Sequence, residues 1–203
     1  MRTEMEEGYI KFNCKWTESE LDSEEGISEI NFAREKLYAL GWIGVLPDGI
    51  GFGNISLRRN GNEFLITGTQ TGAIEKLDRR HFSLVTNYSV KENSITCIGP
   101  LKASSESLTH AMIYECSPET KAVIHIHNSE MWNKLLNKAP TTNANAEYGT
   151  PEIANEIRRL FSDSRVKQEK IIVLGGHQDG ILAFGKNIKE ALNVILQNNS
   201  DKF

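Results

Sequence analysis

Apolar and polar positions alternate along residues 9–16: Ile10, Phe12, Cys14 and Trp16 fall on one side of an extended chain, Lys11, Asn13 and Lys15 on the other. A period of two is that of a half-buried strand, placed here at a sheet edge. The period then lengthens. Ile30, Ala33, Leu37 and Leu40 recur at helical spacing, which predicts a helix over residues 28–40 stopped by Gly41. Short strands follow over residues 54–58, 63–67, 83–90 and 94–98, punctuated by glycine-containing turns, and read as antiparallel. Residues 105–116 have the composition of a helix ending before Pro118, and 122–127 form an apolar strand. A further helix is expected over 151–161, with Thr150 as N-cap and Pro151 at the first helical position, where its missing N–H costs nothing. Strands over 170–174 and 181–184 and a helix over 188–195 complete the chain. The order predicts one α/β domain over residues 1–203, with 1–26 as an N-terminal strand extension and a mixed or antiparallel sheet flanked by helices.

Composition narrows the classes. Of 203 residues, 39% are hydrophobic and 25% charged, too apolar for disorder and with no apolar run of membrane-spanning length. Residues 1–7 are charged and no apolar signal core follows them, so a cytoplasmic protein is expected. The three cysteines, Cys14, Cys97 and Cys116, are odd in number and widely spaced, which argues against a disulfide framework or a thiolate cage. A formal charge of -4 supplies no basic stripe for nucleic acid.

Chemistry concentrates in the strand Ala122-Val-Ile-His-Ile-His127. Side chains alternate faces in a strand, so His125 and His127 point the same way and can grip one ion. Imidazole is the commonest zinc ligand, and a catalytic site takes three protein ligands with one position open. His177, in a Gly-Gly-His turn after a strand, is the candidate third. Upstream, Glu106 and His110 lie four apart on one helical face, behind Ser104 and Ser105 at the helix start. Free N–H groups and hydroxyls there suit a phosphate or carboxylate. Glu106 reads either as a general base beside a metal or as a first-turn acid complementing the helix dipole. Glycine-containing turns at 51–56 and 66–72, with Asn54 and Thr71, offer backbone N–H groups for an anion. Lys76, Arg79 and Arg80 read as a solvated charge cluster.

In order, Gly53-Asn54-Ile-Ser, Thr67-Gly-Thr-Gln-Thr-Gly72, Ser104-Ser-Glu106, His125-Ile-His127, Tyr148-Gly-Thr-Pro-Glu152 and Gly176-His177 resemble the class II aldolase/adducin family over about residues 30–195. The resemblance implies a three-layer α/β/α sandwich with a mainly antiparallel central sheet, assembled as a homotetramer with its active site near a subunit interface. It implies His125, His127 and His177 as Zn2+ ligands and Glu106 as catalytic acid/base. It also places Asn54, Thr71, Gly72, Ser104 and Ser105 around the phosphate of a small sugar phosphate. Three positions depart from the family pattern. Gln178 and Asp179 stand between His177 and Gly180, Ala103 replaces a common proline, and Asn145 occupies a position where some members carry a catalytic tyrosine.

The function expected is a metal-dependent lyase that cleaves a small sugar phosphate by retro-aldol chemistry through an enediolate. Glutamate at 106 favours this over the sugar-phosphate epimerase branch, which typically has aspartate there. One alternative is a ketose-phosphate dehydratase of the methylthioribulose-phosphate type. Another is a non-catalytic, adducin-like interaction module, against which the retention of three histidine positions argues.

Overall fold

A computed structural model describes residues 9–199. The chain runs through β1 (Asn13–Glu18), α1 (Ile27–Ala39), β2 (Gly44–Val45), β3 (Gly51–Phe52), β4 (Asn54–Arg58), β5 (Phe64–Thr67), β6 (Phe82–Ser89), β7 (Ser94–Gly99) and α2 (Ser107–Cys116). It continues through β8 (Ala122–His127), α3 (Ser129–Leu135), α4 (Pro151–Phe161), α5 (Ser164–Glu169), β9 (Ile171–Val173), β10 (Gly180–Gly185) and α6 (Ile188–Asn199). Eight strands form one sheet in the order β1-β7-β6-β5-β4-β8-β10-β9, and β2 pairs with β3 as a small hairpin. Every pairing in the large sheet is antiparallel except β1 on β7.

Strand alternation divides the apolar side chains between two cores. On one face Phe64, Ile66, Val123, Leu182 and Phe184 meet Leu108 and Met112 of α2 and Ile153 and Ile157 of α4. On the other Leu65, Ile124, Ile126 and Ile181 meet Ile30 and Leu37 of α1 and Leu192 and Ile195 of α6. Helices therefore cover both faces of a mixed sheet, giving the three-layer α/β/α sandwich that the sequence predicts. Each buried Leu or Ile contributes roughly 1.5–3 kcal/mol relative to exposure.

Several boundaries and faces shift. The first strand begins at Asn13 rather than residue 9, and residues 1–8 of the expected extension lie outside the described residues. Its predicted apolar face holds: Phe12 is buried, and Ile10, Cys14 and Trp16 pack against the first core. In α1 the predicted Leu40 is 49% exposed, whereas the polar Asn31 and Arg34 are buried beside Ile30, Ala33 and Leu37. Both find backbone partners in the segment after β5, a tertiary arrangement invisible to periodicity. Thr150 does cap α4, with Pro151 in its first turn, but its hydroxyl donates to the Glu147 carbonyl (2.7 Å) instead of accepting from the helix. Among the described residues no helix is long and apolar enough to cross a membrane.

Candidate metal centre and acid/base site

Strand β8 places His125 and His127 on the face of the first core, at its C-terminal end, where that core gives way to a cleft. His177 reaches the same point from the turn between β9 and β10. Leu174 receives a bond from the His177 amide and Gly180 donates to the His177 carbonyl, so two successive turns return the chain to β10. The inserted Gln178 and Asp179 are absorbed there, with Asp179 in a left-handed conformation (φ 65). Gly180 is demanded by crowding. A Cβ at this position would lie 3.0 Å from the His177 carbonyl oxygen and 3.2 Å from His125 Cε1.

One nitrogen from each of His125, His127 and His177 lies within 4.8 Å of the other two. The Nε2 atoms of His125 and His127 are 3.2 Å apart, close to the roughly 3.4 Å between ligands of a tetrahedral zinc with Zn–N bonds of about 2.1 Å. His125 Nδ1 lies 3.2 Å from the Ile181 carbonyl oxygen, which can only accept. The proton therefore sits on Nδ1, and the Nε2 lone pair faces the cluster. Burial, only partly countered by Glu106, pushes the His125 imidazole down to about 3, keeping it neutral as a ligand must be.

Glu106 approaches from the start of α2. It occupies the N-cap position rather than the first turn predicted for it, because the helix starts two residues later than expected, and its side chain makes no capping bond. The serines close the turn instead: Ser104 Oγ accepts from the Glu106 amide (3.3 Å), and Ser107 Oγ donates to the Ser104 carbonyl (2.6 Å). The carboxylate is thus free to turn inward, where it is 3% exposed with Oε1 3.1 Å from His177 Nδ1. Neither oxygen receives a well-formed hydrogen bond. Burial alone pushes this carboxyl up, but the His125 and His177 imidazoles overcome it and hold it down at about 2. A buried carboxylate short of donors beside three imidazoles is costly by itself and fits a cation held between them.

The cleft over this cluster is lined by Glu106, His125, His177 and all five residues expected around a phosphate, Asn54, Thr71, Gly72, Ser104 and Ser105. Asn54 reaches it because β4 registers Asn54 opposite His125, and its buried Oδ1 has no hydrogen-bond partner. The Thr71 hydroxyl donates to the Gly68 carbonyl (2.9 Å) and shapes the turn. Tyr148 also lines the cleft, its ring centroid 4.9 Å from that of His177, whereas Asn145 is exposed. Lys76, Arg79 and Arg80 stay outside the lining and pair with Glu35, Glu20 and Asp78 at the surface.

Sequence reading placed His110 beside Glu106 without giving it a role, and missed Arg34. His110 lies wholly buried behind Glu106, its Nδ1 2.7 Å from Ser56 Oγ, which in turn is 2.7 Å from the Tyr114 hydroxyl. Burial pushes this imidazole down to about 4, against the pull of Glu106. The i,i+4 spacing from Glu106 was the available signal. Arg34 had none, because a charged residue beside apolar helical positions ordinarily faces water.

Residues 33–198 match the family model described as "Class II Aldolase and Adducin N-terminal domain". A curated relative, the 3-oxo-tetronate 4-phosphate decarboxylase of Haemophilus influenzae, is 25% identical over 161 residues, covering 70% of each chain. Among solved structures, an L-fuculose 1-phosphate aldolase superposes with a TM-score of 0.65 at 20% identity, covering 88% of this chain and 84% of its own. A sugar-phosphate aldolase from Thermotoga maritima superposes with a TM-score of 0.62, also at 20% identity, covering 86% and 90%.

Proposed function

This chain belongs to the class II aldolase/adducin family, and from that premise we propose that it is a metal-dependent lyase acting on a small phosphorylated sugar through an enediolate. The observation that carries this reading is the convergence of His125, His127 and His177 beside the buried, ionised Glu106. The three histidines hold the metal, with zinc the ion that best suits an all-imidazole donor set. When bound, such an ion supplies Lewis acidity that polarises a substrate carbonyl and spreads the charge of an enediolate.

The remaining roles belong to the chain. Asn54, Ser104, Ser105 and the turn at Thr71 and Gly72 orient the phosphate end, fixing which carbon lies over Glu106. Glu106 is ionised before substrate enters, so it accepts the proton of the hydroxyl that becomes the aldehyde oxygen and returns it to the enediolate carbon once the carbon–carbon bond has broken. His110 stands behind it as a neutral imidazole hydrogen-bonded to Ser56.

Loss of carbon dioxide from a phosphorylated 3-oxo acid is the second reading. Retro-aldol cleavage requires a base for the proton of the hydroxyl that becomes the aldehyde as well as a donor for the enediolate carbon; decarboxylation breaks no O–H bond and requires only a proton for that carbon, drawn from water through Glu106. The exposed Asn145, in place of a tyrosine, and the likeness to a decarboxylase favour the simpler demand. A panel of short-chain ketose phosphates and phosphorylated 3-oxo acids, with aldehyde and carbon dioxide followed in parallel, tests both. Release of either product by the wild type and not by Glu106→Gln is expected; an inert wild type across the panel would overturn the lyase reading.

A further inference from the structure

Arg34 carries a charge that the protein leaves unneutralised. Its side chain is fully buried in α1, yet no carboxylate of the described residues pairs with it. Its partners are all carbonyl oxygens. Nε donates to Ile74 (2.9 Å), and one terminal nitrogen donates to Thr71 (2.7 Å), Ile74 (2.6 Å) and Gly72 (3.3 Å). The other terminal nitrogen is buried with no partner. Burial pulls the guanidinium down to about 10, so it is still a cation at neutral pH. An uncompensated buried charge is costly, and carbonyl dipoles offset it only in part.

The clamped segment leads into the cleft. Asn31, one turn earlier on α1, exchanges two hydrogen bonds with the Leu77 backbone (2.7 and 2.9 Å), so the helix pins both ends of residues 71–77. In a trans peptide the N–H opposes the preceding C=O. Arg34 therefore draws the Thr71 and Gly72 carbonyls toward α1 and turns the Gly72 and Ala73 amides away from it. Thr71 and Gly72 line the cleft. Gly72 tolerates no side chain, since a Cβ there would lie 2.1 Å from the Gly44 carbonyl oxygen.

We propose that Arg34 is a positioning and specificity-determining residue: its charge, acting through the Thr71 and Gly72 peptides, draws the phosphate of a phosphorylated substrate into the cleft and supplies the missing counter-charge. This rests on the reading that the cleft takes a phosphorylated compound, and it adds the residue that makes the phosphate preferred over a neutral hydroxyl. At the phosphate end Asn54, Ser104 and Ser105 offer only neutral donors, so the charge supplied by the chain there is that of Arg34.

The test measures binding as well as turnover. Inorganic phosphate is titrated into metal-bearing wild type, Arg34→Met and Arg34→Lys, followed by phosphorus NMR. Removing the charge in Arg34→Met weakens phosphate about tenfold or more, a change of about 1.4 kcal/mol. Arg34→Lys keeps a cation but loses the planar clamp, and stays within about threefold of wild type. On a turned-over substrate Arg34→Met raises KM and leaves kcat within about threefold, whereas a merely structural role would lower kcat in both variants alike. Phosphate affinity in Arg34→Met within twofold of wild type, or equal losses in Met and Lys, would overturn the proposal. If Arg34→Met does not fold, Arg34→Lys decides: retained affinity supports it, and a tenfold loss overturns it. A protein that binds phosphate in an Arg34-dependent way yet turns over no phosphorylated compound would refute the lyase reading and leave this inference standing. Turnover of a phosphorylated substrate with no dependence on Arg34 would do the reverse.

Discussion

Gly180→Ala tests whether the histidine cluster is built to close tolerance. The added methyl meets the His177 carbonyl oxygen at 3.0 Å, and His125 Cε1 and His177 Cγ each at 3.2 Å. Ordinary contacts lie at 3.4–4 Å, so several neighbours must each give by a few tenths of an ångström. Gly180 is not in the left-handed region, which makes the cost steric rather than one of backbone strain. Overpacking of this kind costs about 1–3 kcal/mol. Because two of the three crowded groups are imidazoles of the proposed ligands, the strain is relieved by moving them, and metal affinity should fall about tenfold to a hundredfold, as when a ligand loses its support. Gly61→Ala is the control. With φ 56 and nothing within 4 Å of its Cβ, it should cost roughly 1–2 kcal/mol through backbone strain alone and leave metal affinity unchanged. Urea unfolding and competition with a metal-chelating dye give the two quantities for each variant. A Gly180→Ala protein with wild-type metal affinity, or equal metal losses in both variants, would refute the crowding argument.

Glu106→Gln preserves shape and should retain metal while losing turnover by roughly a hundredfold to ten-thousandfold, the usual range for a positioned proton-transfer group; unchanged turnover on the true substrate would remove Glu106 from that role. His110 gives a pH signature. Its folded value, pushed from 6.5 to about 4 by burial, means that the unfolded chain binds the extra proton first as pH falls. The stability it contributes is therefore present above about 6.5 and lost progressively down to about 4, amounting to about 2 kcal/mol between pH 7 and pH 5. Comparing the pH dependence of urea unfolding in wild type and His110→Gln isolates this share, and identical slopes would contradict it.

What the sequence disclosed depended on range. Strand β8 was legible to the residue because strict alternation of Ile124 and Ile126 against His125 and His127 reports two faces at once. The buried side of α1 was half legible. Ile30, Ala33 and Leu37 announced it, but Asn31 and Arg34 are buried through carbonyls of residues 71–77, far away in sequence. Short elements escaped: α3 and α5 depend on single caps by Asn128 and Asp163 rather than on any sustained period. The gathering of His177 and Glu106 around β8 was suggested by motif order alone, and the inward turn of Glu106 needed Ser104 and Ser107 to close its loop first.

The central claim is that three histidines hold one divalent ion beside a buried base. It is tested most directly by elemental analysis of the purified protein and of His125→Ala. About one equivalent of divalent metal per chain is expected in the wild type and a small fraction of that in the variant. A metal-free wild type that takes up none on reconstitution, or a His125→Ala protein that keeps its full equivalent, would contradict it.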